Sequence, residues 1–299
     1  MNTPEPAAMD HTLFNDDIRV VISEIGGELV SAQNASGTEY LWQPDPAYWD
    51  WRSFHIFPYV GRLTDEAYRL NGREYHMGIH GILPGARLQT EEVGSQTLTL
   101  SFIADEVTLR SYPVRFAYYQ RYRLVGNRLD MMYEVFNQDA ETMYFGIGAH
   151  PAFNVPLSEG LAFTDYELSF GRECRPLQVG MTDACFLRGD LSPYPLDEGK
   201  KIRLNHGMFD RDAIILTDIS SEITLRSPEG GPSLSLLFED FPYLMLWTMP
   251  GAEAPYLCIE PVSSLSSRQG VVEDLEAQGD LISLPAGGGY RGGVSITFA

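Results

Sequence analysis

Four polar residues have sequence neighbours that are unusual for residues with a purely structural role. Arg62 and His80 each adjoin a glycine within an otherwise apolar stretch, small residues surround His150, and Glu260 ends an apolar run. Glycine and other small residues let a ligand approach closely. A buried carboxylate must be paired or functional, because burying an unpaired charge is costly. The four residues are therefore the first candidates for a functional site.

Each of the four also has a purely structural explanation. A solitary histidine in a β-rich protein is more often a hydrogen-bonded structural residue than a catalyst. Arg62 has Asp65 and Glu66 nearby in the sequence as ion-pair partners, and Glu260 can stand at a strand end in solvent. The functional interpretation thus depends on the four residues in combination.

Other catalytic and ligand-binding motifs are weak. His76 and His80 have HxxxH spacing, but they follow an Asn-Gly turn and no glutamate comes after His76, which disfavours a zinc site. The glycine-rich segment 285–293 lacks the GK[ST] ending of a phosphate-binding loop and predicts a turn before a strand. No GxSxG elbow occurs, and the three cysteines lack CxxC spacing. We therefore predict no metal and no cofactor.

The elements that must position these residues are predicted to be β-strands. Alternating apolar and polar residues, many of them β-branched or aromatic, predict strands over residues 101–103, 118–124, 128–135, 223–226 and 294–298. Turn signals separate them, and the segment 97–135 predicts three or four consecutive antiparallel strands. The best helix prediction, residues 270–278, is short.

Length and composition favour one large β domain. The chain has 299 residues without an internal repeat or a long linker, and large all-β folds often fill such a length with a single core. Closely spaced strands imply a sandwich or barrel. We predict a single domain over residues 13–299, preceded by a loose tail over residues 1–12.

The charge balance restricts the possible partners. Lys and Arg number 21 and Asp and Glu 41, which gives a formal charge of −20. Such a charge repels phosphate backbones and anionic membrane surfaces, so neither nucleic acid nor membrane is an expected partner. No signal sequence is recognisable, and an odd number of cysteines does not form a disulfide framework. A cytoplasmic location is expected.

Seven segments, taken in order, match one protein family. They are residues 61–62, 68–75, 79–81, 148–154, 212–215, 246–248 and 258–261. The sequences HPAFN and CIEP, which contain His150 and Glu260, are the most specific. In this combination the chain resembles the aldose 1-epimerase (galactose mutarotase) family, and in particular its LacX-like branch. The resemblance implies an all-β fold, a large antiparallel β-supersandwich with few short helices.

The resemblance also implies roles for individual residues. His150 corresponds to the general acid of the family and Glu260 to the general base. Arg62 and His80 resemble the residues that hold the ring oxygen and hydroxyl groups of the sugar, and Asp212 the carboxylate that binds a sugar hydroxyl. The implied activity is the interconversion of the α and β anomers of an aldose.

These groups suit that reaction. One group takes the proton of the anomeric hydroxyl while another protonates the ring oxygen, the ring opens, and rotation about C1–C2 precedes closure on the other face. A glutamate with a pKa of about 4.3 is ionised at neutral pH, and a histidine with a pKa of about 6.5 keeps a protonated fraction. Neither metal nor cofactor is required.

Three other functions stay open. A hexose-6-phosphate 1-epimerase needs a basic cluster, for which the candidates are Arg52, Arg69, Arg73 and Arg87. A catalytically inactive carbohydrate-binding or sensing protein is conceivable because the sequence departs from the family pattern after His80 and Glu260. A glycoside hydrolase would use Asp212 and Glu260 as its two carboxyl groups. The expected ligand is a monosaccharide or sugar phosphate, bound by a monomer or homodimer.

Overall fold

β-Strands dominate the computed structural model, which describes residues 8–299. The first half of the chain forms the strands β1 (Asp10–Phe14), β2 (Ile18–Ser23), β3 (Leu29–Asn34), β4 (Phe54–Ile56), β5 (Ala67–Leu70), β6 (Arg73–His76), β7 (Gln89–Val93), β8 (Thr97–Ile103), β9 (Phe116–Val125), β10 (Arg128–Asn137), β11 (Met143–Phe145), β12 (Gly148–His150) and β13 (Ala152–Asn154). The second half forms β14 (Glu167–Phe170), β15 (Leu177–Met181), β16 (Leu187–Pro193), β17 (Lys201–Arg203), β18 (Ile214–Thr217), β19 (Glu222–Arg226), β20 (Leu234–Leu237), β21 (Tyr243–Trp247), β22 (Tyr256–Val262), β23 (Glu273–Asp274), β24 (Ile282–Leu284) and β25 (Gly289–Phe298).

Helices are short in this part of the chain. The α-helix α1 spans Thr108–Ser111, and three 3-10 turns cover Thr64–Glu66, Phe163–Asp165 and His206–Phe209. Across residues 8–299, none of the helices has both the length and the apolar character that a membrane-crossing segment needs.

Two large sheets carry most of the strands. The first has nine strands in the order β17-β14-β19-β20-β25-β10-β9-β8-β7. The second has the order β16-β15-β18-β21-β22-β12-β4, and β13 also pairs with β22. Within both sheets neighbouring strands run antiparallel. Smaller sheets join β1-β2-β3, β11-β24 and β23-β5-β6, and in the last the β23–β5 pair is parallel.

Side-chain alternation explains how the nine-stranded sheet faces the core. In β10, Leu129, Met131, Tyr133 and Val135 are buried, whereas the residues between them are only partly buried. The hairpin to β9 turns at Gly126, whose φ of 56° favours glycine. A period of two therefore gives this strand one apolar face that packs inward.

β22 differs because both of its faces are buried. All seven of its residues are buried. Leu257 and Ile259 join the main hydrophobic core, whereas Cys258 faces a separate small cluster with Trp42 and Tyr256. A strand covered on both sides normally carries only apolar residues, so Glu260 at this position is an exception.

The predicted fold class is confirmed: the protein is almost entirely β, with large antiparallel sheets and few short helices. The five predicted strand segments all lie in strands, and the segment 97–135 forms three, β8 to β10. Residues 285–288 form the predicted turn, and residues 289–293 already belong to β25.

The helix predicted over residues 270–278 is wrong. This segment contains β23 and a turn instead. The Leu275 backbone N–H donates to the carbonyl of Arg69 on the neighbouring strand, and the Asp274 carboxylate accepts from the Glu276 backbone N–H. A side chain that bonds its own backbone two residues ahead favours a turn over a helix.

The predicted tail over residues 1–12 is too long. β1 begins at Asp10 and pairs with β2, so residues 10–12 belong to a sheet. The His11 ring lies within hydrogen-bonding distance of Thr90 and Glu24, which anchors the strand further. Residues 1–7 lie outside the described part of the chain.

Candidate active site

Strand register brings the two most distant candidate residues together. Gly148 of β12 pairs with Val262 of β22, so two residues further along each antiparallel strand His150 comes opposite Glu260. On its other side His150 pairs with Phe54 of β4. All three side chains therefore project from the same face of the eight-stranded sheet.

All five predicted site residues border one cavity of about 290 Å³. They are Arg62, His80, His150, Asp212 and Glu260. The rest of the wall is mainly apolar or aromatic, and comprises Trp49, Trp51, Phe54, Gly61, Ile79, Met181, Cys185, Ala213, Ile215, Met245, Trp247 and Ser266. Drug-sized ligands occupy pockets of roughly 300–1,000 Å³, so this cavity suits a small molecule.

His150 and Glu260 are in direct contact at the buried side of the cavity. Nε2 of His150 lies 3.3 Å from Oε2 of Glu260, and the side chains are only 8% and 3% exposed. Burial lowers the pKa of His150 well below its usual value, and the nearby His80 adds to the effect. Burial raises the pKa of Glu260 well above its usual value, with a further contribution from Asp212. Both groups are therefore driven toward their uncharged forms.

This result corrects one expectation from the sequence. An ordinary pKa would leave part of the His150 population protonated at neutral pH and Glu260 ionised. Because burial moves the two pKa values in opposite directions, it instead favours a neutral imidazole beside a protonated carboxyl group, a pair that holds one proton.

A backbone turn holds His80 at the edge of the cavity. Gly61 has a φ of 71°, and its N–H donates to Nδ1 of His80 over 3.3 Å. An imidazole that accepts at Nδ1 carries its proton on Nε2 when neutral. Burial, followed by the charge of Arg62, lowers the pKa of His80 to about 3. This ring is therefore a neutral hydrogen-bond donor.

The same turn presents Arg62. Its backbone N–H donates to Oγ of Ser266 over 3.2 Å. A Cβ on Gly61 would clash with that hydroxyl oxygen, so a larger residue would displace the Ser266 side chain in addition to straining the positive φ. Arg62, Trp51 and Ile79 are exposed, and the cavity opens to solvent beside them.

Asp212 lies in the wall next to a cysteine. Sγ of Cys185 donates to Oδ2 of Asp212 over 2.7 Å, and Oδ1 accepts from the backbone N–H of Ala213. Burial and the Asp212 carboxylate raise the pKa of Cys185 to about 11, which keeps the thiol protonated. Both carboxylate oxygens are thus fixed in orientation and retain lone pairs for further donors.

The aromatic wall was not predicted. The indole of Trp49 stacks on the His150 ring at 5.4 Å between centroids and 29° between planes, and Phe54 lies 4.4 Å away. Trp247 lines the cavity next to them. The dense aromatic run YWDWRSF at residues 48–54 was an available signal, because exposed tryptophans often serve binding.

Three further histidines lie outside the cavity wall. His55 is buried in the core, where Nδ1 contacts the Tyr133 hydroxyl at 2.9 Å. His206 stacks on Phe163, and His76 is exposed at the end of β6. β6 ends at His76 and no helix follows, so the HxxxH spacing does not put the imidazoles of His76 and His80 on one helix face.

Chemically, the cavity combines a proton-holding pair with hydrogen-bond donors and an acceptor. His150 and Glu260 can exchange a proton with each other and with a bound molecule. Arg62 and His80 offer N–H donors, and Asp212 offers an acceptor. Aromatic faces complete a wall on which an apolar ring face can stack.

Comparisons with known proteins agree with this geometry. Residues 9–276 match the family model described as aldose 1-epimerase. The chain belongs to the aldose 1-epimerase family. The chromosomal LacX protein of Lactococcus lactis subsp. lactis is 35% identical over 265 residues, which cover 85% of this chain and 88% of LacX.

Solved structures of the same family have the same fold. A galactose mutarotase related enzyme from Lactobacillus acidophilus superposes with a TM-score of 0.93 at 30% identity, covering 97% of both chains. A galactose mutarotase-like protein from Lactobacillus casei gives a TM-score of 0.91 at 29% identity, covering 97% of this chain and all of the other.

Proposed function

We propose that this member of the family is an aldose 1-epimerase that interconverts the anomers of a neutral aldose. The observation that supports it most strongly is the 3.3 Å contact between Nε2 of His150 and Oε2 of Glu260 beside the cavity. O1 and O5 of an aldose are both bonded to C1. The group that removes the O1 proton and the group that protonates O5 must therefore be close neighbours, as these two are.

In the proposed reaction the pair carries one proton. With the proton on His150, the Glu260 carboxylate takes the hydrogen of O1 while His150 donates to O5, and the C1–O5 bond breaks as the carbonyl forms. Rotation about C1–C2 and the reverse transfers close the ring as the other anomer. The pair ends with the same number of protons, so no co-reactant is needed. Each transfer typically contributes about 10²–10⁴-fold.

The remaining residues are proposed to bind the sugar. Nε2–H of His80 and the guanidinium of Arg62 donate to ring and hydroxyl oxygens, and Asp212 accepts from a hydroxyl. The aromatic faces of Trp49 and Trp247 exclude water and pack against the ring.

The charges around the cavity favour a neutral sugar over a sugar phosphate. Arg62 is the one Lys or Arg side chain in the cavity wall, and two carboxyl groups accompany it. The four arginines considered for a phosphate lie outside the wall. Arg52 pairs with Glu28, Arg69 with Glu74 and Arg87 with Glu24, whereas Arg73 is exposed on β6.

The proposal is tested by exchange NMR between the α and β anomers of glucose and galactose. We expect wild-type protein to accelerate exchange, and Glu260→Gln to lower the enzymatic rate by about 10²–10⁴-fold because it removes one proton-transfer group. Glu253→Gln is the matched control. This exposed carboxylate lies just before β22, the strand of Glu260, and does not line the cavity.

Three results would contradict the proposal. Exchange that is no faster with wild type than without protein, together with sugar binding by calorimetry, would favour a carbohydrate-binding or sensing protein. Faster exchange of glucose 6-phosphate than of glucose would favour a hexose-6-phosphate 1-epimerase. Sugar release from nitrophenyl glycosides would indicate a glycoside hydrolase.

A further inference from the structure

A third potential metal ligand adjoins the His150–Glu260 pair. Cys258 lies two residues before Glu260 on β22, so both side chains project from the same face of the sheet. Cys258 is fully buried and pairs with Ala152 on β13. One nitrogen of His150, Sγ of Cys258 and a carboxylate oxygen of Glu260 all lie within 4.8 Å of one another.

The separation of one of the three ligand pairs already suits a tetrahedral cation. Zinc binds nitrogen and oxygen ligands at about 2.0 Å and sulfur at about 2.3 Å, which places neighbouring ligand atoms about 3.3–3.6 Å apart. Nε2 of His150 and Oε2 of Glu260 are already 3.3 Å apart. In addition, Nδ1 of His150 is buried and has no hydrogen-bond partner among the described residues, so the ring is not locked by a second bond.

The ligand types indicate which cation would bind. Thiolate and imidazole ligands select zinc and similar borderline or soft cations, whereas magnesium and calcium prefer oxygen ligands alone. A thiolate and a carboxylate together neutralise a divalent cation, so the loaded site carries no net charge, as its buried position requires. His150 and Glu260 border the cavity, which supplies an entry path and space for water as the fourth ligand.

We propose that His150, Cys258 and Glu260 form a binding site for Zn²⁺ at the base of the cavity. Binding releases the protons of the Cys258 thiol and of the Glu260 carboxyl, and thus proceeds without any redox change. The ion occupies both groups of the proposed acid–base pair and excludes the sugar. This inhibitory consequence rests on the proposed function, but the binding itself does not.

The test uses Co²⁺ and Zn²⁺ added to chelator-treated full-length protein. We expect Co²⁺ to produce a near-ultraviolet thiolate-to-metal absorption band that Zn²⁺ abolishes by displacement. In Cys258→Ser and in Cys258→Ala the band disappears, and Zn²⁺ affinity measured by calorimetry falls by at least roughly 10–100-fold, since even loss of an outer-shell partner costs that much.

Two other thiols provide the controls. Cys185→Ser removes the thiol in the cavity wall beside Asp212, and Cys174→Ser removes one that does not line the cavity. Both variants are expected to keep the band. A band that survives in both Cys258 variants, or one lost in Cys185→Ser, overturns the proposal.

Catalysis provides a separate readout. Inhibition of anomer exchange by Zn²⁺ at the concentrations that displace Co²⁺ would link the site to the reaction. If wild-type protein binds Zn²⁺ through Cys258 yet does not exchange anomers, the proposed function fails while the metal site stands.

Discussion

At the scale of single residues, the site depends on two ionisable groups that burial drives in opposite directions. An imidazole loses its proton more readily when buried, and a carboxyl group keeps its proton longer. Because His150 and Glu260 are in contact, they titrate as a pair with shared pKa values. A pair with one proton can still act as acid and base, since the proton can reside on either member.

For the proposed anomer exchange, these directions predict a pH dependence. Below neutrality the pair gains a second proton only when His150 titrates, and its pKa lies well below the usual 6.5. We therefore expect kcat/KM to stay constant as the pH falls through 6.5 and to decrease only in more acidic solution. At alkaline pH it decreases when Glu260 loses the shared proton.

Measuring kcat/KM by exchange NMR or polarimetry across the pH range checks this prediction, with the spontaneous rate subtracted at each pH. His76→Gln is the control, because this histidine is exposed and does not line the cavity. An acid limb centred on the ordinary histidine pKa of 6.5 would show that burial does not govern His150.

At the scale of elements, the site depends on the close approach of β12 and β22. A Cβ on Gly148 would lie 2.7 Å from Cγ1 of Val262 and 2.8 Å from the Pro261 carbonyl oxygen. No larger residue fits without moving one strand. The glycine thus sets the distance at which His150 and Glu260 meet.

Gly148→Ala is accordingly predicted to lower both stability and activity. Forcing a methyl group into a packed interior typically costs about 1–3 kcal/mol. A displacement of catalytic groups by about 1 Å can cost roughly 10²-fold in rate. Denaturant unfolding and exchange NMR measure the two effects.

Gly279→Ala serves as the matched control, because its Cβ would meet no atom within 4 Å and its φ is not positive. Equal unfolding free energies and equal rates for both alanine variants would show that β12 and β22 can accommodate a methyl group between them.

The strands themselves could be predicted from the sequence, but their partners could not. The alternation of apolar and polar residues in 128–135 identifies β10, because the polarity of each residue indicates whether its side chain is buried. Nothing local indicates that β12 pairs with β22, more than 100 positions away, since that pairing arises from the folding of the whole chain. Resemblance to a family supplied His150 and Glu260 as partners. The bond from Cys185 to Asp212 was missed, because nothing in the sequence connects two residues that lie 27 positions apart.

At the scale of the whole molecule, the net charge of −20 acts on substrates before they reach the cavity. A neutral aldose experiences no net force from it, whereas a doubly charged sugar phosphate is repelled. Salt screens this repulsion, because the Debye length shortens to about 8 Å at physiological ionic strength. We therefore expect the surface, as well as the cavity, to favour a neutral aldose over a sugar phosphate.

Ionic strength provides the corresponding test. We expect the affinity for glucose, measured by calorimetry, to be unchanged by added salt. Any binding of glucose 6-phosphate should strengthen severalfold as salt is added at low ionic strength. Phosphate binding that instead weakens with salt would reveal a basic subsite and contradict the preference for neutral sugars.

The position of the tryptophans has one practical consequence. The sequence contains Trp42, Trp49, Trp51 and Trp247, and the last three border the cavity. The indole of Trp49 stacks on His150, so a bound ligand or a change in the protonation of His150 alters the surroundings of the indole directly. The ultraviolet emission of the protein consequently originates largely at the site, and occupancy can be followed by intrinsic fluorescence without any label.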